Sequence, residues 1–273
     1  MTSFTGPHTH ISAYYTWSPN PISDDAPFPF IPMLWGCNST YTLPFQQAVE
    51  NEFDRVGLTA DHAILAFNEP DLVGQAECTP SQAASAWMHY LEPLKGKFRL
   101  GSPAVTSGPG GKQWMLDWFQ ACGGGCNPDF IALHWYDIDP EIFIEHIRDF
   151  HDTWNLSIWI TEYAVQNFSQ DATQATLEEI ETFMDVTTSY MQSVDWVERD
   201  FWFGAMYDMQ GVNNLDCLFD LSSGNVTDRT GALSPLGIKY AGISEQVEVS
   251  IHSPAPDSWI SWTNDQRSRW YLI

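Results

Sequence analysis

Two short stretches hold most of the chemistry this chain can offer. Phe67-Asn68-Glu69-Pro70 closes an apolar run that begins at Ala63, and much later Ile158-Trp159-Ile160-Thr161-Glu162-Tyr163 repeats the design. Each reads as a buried strand that ends in one carboxylate among polar and aromatic neighbours. A pair of carboxylates at one site can break a glycosidic bond, one held protonated as general acid and the other ionised as nucleophile. Singly, these residues have plainer readings. Glu69 suits the first turn of a helix, where the dipole favours an acid, and Asp71 suits a turn cap. His134 fits a satisfied core histidine, and Trp17, Trp35 and Tyr163 fit ordinary packing.

The pair does chemistry only if the fold brings it together. Apolar, β-rich runs recur at 11–16, 30–35, 63–67, 98–101, 130–135, 158–161 and 201–206. Helical patterns separate them: Phe45, Val49, Phe53 and Val56; Trp87, Leu91 and Leu94 after Thr79-Pro80; Trp114, Leu116 and Trp118; Ile142, Phe143, Ile147 and Phe150 after Pro140; and Leu177, Ile180, Met184, Met191 and Val194. Near-continuous apolar strands alternating with amphipathic helices predict a parallel sheet covered by helices. At 273 residues the expectation is an α/β chain folded as one (β/α)8 barrel, not an open doubly wound sheet, and no GxGxxG fingerprint favours the latter. Seven strands are legible. The eighth is expected to be short, irregular, or hidden near residues 1–9 or in 101–111. Residues 1–245 are read as the catalytic barrel. Residues 246–273 lack periodicity and read as a cap, a strand pair or a tail.

In such a barrel the working residues sit at the C-terminal strand ends. Those ends hold Tyr14, Tyr15, Thr16 and Trp17; Trp35; Asn68, Glu69 and Asp71; Ser102; His134, Trp135, Tyr136 and Asp137; Glu162 and Tyr163; Tyr207 and Asp208. Almost every one can stack on a sugar or bond its hydroxyls, and the accumulation says more than any member.

Composition narrows the partner. With 35 acidic against 11 basic residues the formal charge is −24, which disfavours nucleic acid and anionic membrane surfaces. A neutral polysaccharide meets no such repulsion, although the charge also serves plain solubility. Aromatic residues make up 14%, with 13 Trp, enough to fill a core and still line a sugar cleft. Cys122-Gly-Gly-Gly-Cys126 suits a tight disulfide loop, with a zinc site as the weaker alternative for lack of a second ligand pair. Cys37 and Cys78 each follow a strand-end motif and are expected to pair on one rim, leaving Cys217 as a buried thiol. Asn-X-Ser/Thr sequons at Asn38, Asn155, Asn167 and Asn225, together with these cysteines, favour a secreted or cell-wall-associated domain whose leader has been removed. No run of 18 apolar residues occurs.

The strand-end residues resemble those of the clan A glycoside hydrolases, and most closely glycoside hydrolase family 128, small fungal and bacterial β-1,3-glucanases. The likeness rests on Tyr15-Thr16-Trp17-Ser18-Pro19, Leu34-Trp35-Gly36, Phe67-Asn68-Glu69-Pro70-Asp71, Gly101-Ser102-Pro103-Ala104, His134-Trp135-Tyr136 and Trp159-Ile160-Thr161-Glu162-Tyr163-Ala164, in this order. It implies Glu69 as acid/base on strand four and Glu162 as nucleophile on strand seven of a retaining enzyme, with β-1,3-glucan as substrate and internal cleavage favoured. It also implies a monomer that needs no metal or organic cofactor. Counting back from Glu162 leaves two clear strands before residue 62 where three are expected. Asn68 is placed to bond the sugar 2-hydroxyl. Tyr163, His134 and Tyr136 are placed to orient Glu162, and Tyr15, Trp17, Trp35, Trp135, Tyr136 and Tyr207 to grip the glycan. Two other readings keep the cleft: a wall glucan-binding protein that hydrolyses little, and a clan relative acting on β-1,4 linkages.

Overall fold

The structure is a computed structural model that describes residues 1–6, 8–56, 62–169, 173–221, 231–243 and 270–272. Asn225, most of 246–273 and the side chains of Phe53 and Val56 lie outside the described residues. Strands β1 (Ile11–Tyr14), β2 (Ala63–Ile64), β3 (Arg99–Leu100), β4 (Phe130–Tyr136), β5 (Ser157–Ala164), β6 (Val197–Trp202) and β7 (Trp270–Leu272) alternate with helices for most of the chain. The helices are α1 (Ser39–Val56), α2 (Pro80–Ala86), α3 (Gly111–Cys122), α4 (Pro140–Trp154), α5 (Leu177–Ser193) and α6 (Pro235–Ala241).

Every strand pairing is parallel. One sheet runs β1-β7-β6-β5-β4 and a second joins β2 to β3. Single bridges carry the pattern onward: Tyr14 to Phe30, Met33 to Leu65, Asn68 to Ala104, Gly101 to Phe130 and Val105 to Leu133. The pairings thus lead from β1 through the Phe30 and Met33 segment, β2, β3, β4, β5, β6 and β7 back to β1.

Two expectations are corrected here. The missing extended segment is not in residues 1–9, where Thr2–Phe4 forms a single 3-10 turn, nor a separate strand in 101–111. It is Trp270–Leu272, seated between β6 and β1. Its three apolar residues are too few to show a period against the polar stretch before them. The strand expected at 201–206 starts earlier, at Val197, because its first pairs after Val197 use Arg199 and Asp200, polar residues that an apolar criterion passes over.

Local chemistry sets the helix ends. Thr79 and Gln82 form a capping box before Pro80, Thr176 and Glu179 form another, and Asp139 accepts from the backbone N–H groups of Glu141 and Ile142 ahead of Pro140. The single helix expected through Leu94 instead loosens to a π turn at Trp87–Leu91 and tightens to a 3-10 turn at Glu92–Leu94. Pro93 lacks the N–H that would continue the α pattern, and its ring crowds the preceding turn. At the strand starts the interior is closed by aromatic and charged side chains. Phe130 stacks on Trp159, Arg99 pairs with Glu198 at 2.7 Å, and Trp159 Nε1 donates to the same Glu198 at 2.8 Å. This plug leaves the opposite end for the strand-end carboxylates. No helix among the described residues is long and apolar enough to cross a membrane.

Cys37–Cys78 and Cys122–Cys126 are disulfides, and Cys217 is a buried free thiol. The first spans 41 residues and the second 4, so loop-closure entropy assigns about 4 and about 2 kcal/mol to them. Cys37→Ala with Cys78→Ala should therefore lower Tm by roughly 10 °C, and the Cys122/Cys126 double variant by about half that. Equal losses by calorimetry would contradict the loop-length argument.

A second expectation concerns Asp200, buried on β6 with its Oδ2 accepting from Tyr163 and Tyr240 hydroxyls at 2.7 and 3.3 Å. Burial raises its carboxyl to about 7 against the two hydroxyls that favour the anion. The folded chain then holds a proton that the unfolded chain releases near its ordinary value, so this stability is full in acid and lost as pH rises through 7. Between pH 5 and 8 the loss is on the order of 2–3 kcal/mol. Asp200→Asn should flatten the urea-unfolding ΔG across that window by this amount.

Candidate active site

Glu69 leaves the strand end of β2 with φ 42°, a left-handed backbone that non-glycine residues rarely adopt. The conformation is held from both sides. The Asn68 N–H donates to the Trp35 carbonyl at 2.9 Å, the Glu69 N–H to the Ala104 carbonyl at 2.8 Å, and the Asn68 carbonyl accepts from Ala76. Asp71 adds a brace by accepting from the backbone N–H and hydroxyl of Thr106, at 3.0 and 2.6 Å.

Glu162 is aimed by a change of register. Along β4 and β5, Leu133 stands opposite Ile160, but the next residue, His134, stands opposite Glu162. Thr161 is therefore the extra residue of a bulge, which re-aims the side chain after it. The bulge's carbonyl is satisfied by the Tyr15 hydroxyl at 2.7 Å.

These two devices bring Glu69, His134 and Glu162 together, each with an oxygen or nitrogen within 4.8 Å of the others. His134 Nδ1 lies 3.0 Å from Glu69 Oε1 and 3.4 Å from Glu162 Oε2. Trp17 Nε1 donates to Glu162 Oε1 at 2.6 Å and the Tyr136 hydroxyl to Oε2 at 2.7 Å. Both glutamates are nearly sealed, at 7% and 4% exposure, so charge here is felt strongly. Burial pushes the Glu162 carboxyl up; the positive side of His134 pulls it down, Glu69 pushes it up again, and the Trp17 and Tyr136 donors lower it. For His134, burial works against the cation, but Glu162 and Glu69 outweigh it and raise the imidazole. Its Nε2 is buried without a hydrogen-bond partner, so a cation would leave one N–H unmet. This opposes the pull of the carboxylates and limits the rise.

The three groups also match the ligand types of a metal site. Both Glu162 oxygens, however, already accept from Trp17 and Tyr136, and an ion would have to displace those donors. The arrangement suits proton transfer and attack by a carboxylate.

Above the pair opens a cleft of about 2090 Å³, larger than the ~300–1,000 Å³ of a small-molecule pocket. Of the residues expected there, Trp17, Trp35, Asn68, Trp135, Tyr136 and Tyr207 line it with Glu69 and Glu162. Their parts differ from those expected. Trp17, also with positive φ at 50°, holds the carboxylate. Trp35 leans on Tyr41, and Tyr207 stacks on Phe219 while its hydroxyl accepts from Gly231. Trp135 is buried with its ring against Phe143 and His146 of α4. Tyr15 and His134 lie beneath the floor, where they act on the glutamates.

Tyr163 does not join the site. Strand alternation turns it to the helix face, where it stacks on Phe143 and donates to Asp200. The expectation that it orients Glu162 is corrected on this geometry. Phe203, Phe168 and Gln75 line the cleft without having been singled out. Phe203 meets the rings of both Trp17 and Tyr136 at 5.7 Å and so steadies both donors. It lay inside the predicted strand 201–206, where placing that strand's end correctly would have found it.

The glycosyl hydrolase catalytic core family model matches residues 1–240. Among solved structures, the curdlan-specific exo-β-1,3-glucanase of Blastomyces gilchristii, family GH128, is 28% identical with a TM-score of 0.70, over 89% of this chain and 93% of that one. The GH128 endo-β-1,3-glucanase of Amycolatopsis mediterranei, solved with laminaritriose, is 27% identical with a TM-score of 0.65, over 84% and 89%. Alkali-sensitive linkage protein 1 of Schizosaccharomyces pombe is 32% identical over 202 residues, 70% of this chain and 37% of that protein. This chain thus spans little more than a third of that relative's length.

The donors to Glu162 carry their own test. Trp17→Phe and Tyr136→Phe each remove a bond that favours the anion, so each should raise the pH at which Glu162 takes up a proton. Carbon-13 NMR titration of glutamate-labelled protein reads this directly. A downward move in either variant would mean that the donor does not stabilise the carboxylate.

Proposed function

The chain belongs to the glycosyl hydrolase catalytic core family and is a glycoside hydrolase, and from that premise we propose that it cleaves β-1,3-glucan with retention, on a closed (β/α)8 barrel. The ring of parallel pairings supports the barrel, with β7 as its eighth strand. On this reading β7 fills the place before β1, so Glu69 and Glu162 stand at the fourth and seventh positions around the ring, as the clan requires. Residues 1–243 and β7 then form one domain.

One observation carries the mechanism: carboxylate oxygens of Glu69 and Glu162 lie within 4.8 Å of each other. Retaining pairs stand about 5–5.5 Å apart, and inverting pairs about 6.5–9.5 Å, to leave room for a water. Glu162 attacks the anomeric carbon as the bond to the leaving chain breaks. The bonding electrons go to the departing oxygen, which takes the Glu69 proton. Water then adds to the same carbon, its proton goes to Glu69, and Glu162 leaves as a carboxylate. Asn68 meets the 2-hydroxyl. His134 offers Nδ1–H to either carboxylate as charge passes between them.

The substrate follows from the GH128 neighbours, which act on β-1,3-glucans as exo- and endo-enzymes. Internal cleavage is the mode we favour, as in the Amycolatopsis mediterranei enzyme, on a broad cleft whose lining includes both glutamates. The chain acts as a monomer outside the cell, and its two disulfides suit that oxidising setting.

Laminarin-type oligosaccharides test this beside β-1,4 and mixed-linkage ones. Glu162→Ala should abolish turnover yet bind oligosaccharide, and with azide and an activated β-glycoside it should yield the α-glycosyl azide. Glu69→Gln should lose about 10²–10⁴ on unactivated substrates and much less on activated ones. Binding without any hydrolysis by the unaltered chain would point to a glucan-binding protein, and a β-azide product would rule out Glu162 as nucleophile.

A further inference from the structure

Asn68 is 3% exposed, and its backbone is pinned at both N–H and carbonyl, so only its carboxamide can turn. The two ends of that amide have different surroundings. Oδ1 is buried with no hydrogen-bond partner, while Nδ2 donates to Gln75 Oε1 at 3.2 Å. Gln75 Oε1 is thus the one side-chain partner that the described residues give this carboxamide.

Gln75 reaches Asn68 because the chain after Glu69 folds back on itself. The Leu72 N–H donates to the Glu69 carbonyl, Gln75 to Leu72, Ala76 to Asn68 and Cys78 to Pro70. Two ties fix the far end of this loop, the Cys37–Cys78 disulfide and the Trp114 Nε1 bond to the Cys78 carbonyl at 3.0 Å. Both Asn68 and Gln75 line the cleft.

We infer that Gln75 is a positioning residue: its Oε1 takes one Nδ2 hydrogen of Asn68 and so keeps the second directed to a hydroxyl of the sugar at the reacting position. The inference rests on the hydrolase reading above. Without an acceptor at 75 the carboxamide is free to make a half-turn and present oxygen where the sugar meets nitrogen. A hydroxyl can pair with either end, so binding changes little. The contact to the 2-hydroxyl strengthens in the transition state, and its loss falls on kcat.

The experiment compares a chromogenic laminaribioside with its counterpart lacking the 2-hydroxyl on the reacting sugar, for the unaltered chain, Gln75→Leu and Gln75→Glu. Gln75→Leu should lower kcat about tenfold on the full substrate, the scale of one hydrogen bond, with KM within about twofold. On the deoxy substrate it should match the unaltered chain, because there is no hydroxyl left to misplace. Gln75→Glu, which can only accept, should restore most of the lost kcat. An equal loss on both substrates would reveal a merely structural residue, and no loss on either would dismiss the role; both outcomes leave the hydrolase reading standing. A failure of the unaltered chain to cleave any β-1,3-linked substrate would overturn both.

Discussion

The site depends on one residue too many in β5. Without the bulge at Thr161, strict pairing with β4 would set Thr161 opposite His134 and turn Glu162 to the helix face, the side Tyr163 now occupies. With it, a strand-end carboxylate faces the interior beside the imidazole of the neighbouring strand. The bulge needs its own support, since it leaves a carbonyl outside the ladder. Tyr15 provides that bond and also reaches toward Glu162. A residue with the look of a sugar contact thus serves to hold the backbone geometry that aims Glu162.

His134 joins the two halves of the site electrostatically. Burial works against charge on Glu162, and the imidazole pulls the other way. His134 Nδ1 lies 3.0 Å from Glu69 and 3.4 Å from Glu162, so its positive side faces both carboxyl groups.

Much of this was legible in the sequence because buried parallel strands are written as apolar runs and their polar ends stand out. The glutamate pair, the aromatic rim and the Cys37–Cys78 pairing all belong to that class of signal. What sequence could not show were features of direction. Trp17 differs from Trp35 only in a backbone angle that turns its N–H onto Glu162. Tyr163 follows Glu162 directly and still points away, and a bulge leaves no mark on a hydrophobic pattern. Gln75 sits in a polar loop whose return to Asn68 is set by tertiary bonds. Trp270–Leu272 is a three-residue strand whose meaning comes wholly from its neighbours.

The position of that strand bears on how the molecule is made. Ile11 pairs with Trp270, so β1 waits for a strand made much later in the chain. Until then β1 and β6 present open edges, the kind of surface that invites association with other chains. A contact of such long sequence separation forms slowly and late. Since Tyr15 and Trp17 follow β1 directly, the seam that closes on Trp270–Leu272 also steadies the side chains that bond Thr161 and Glu162. The surroundings of Glu162 thus hang on a pairing between distant parts of the chain, and loss of that short strand would loosen them.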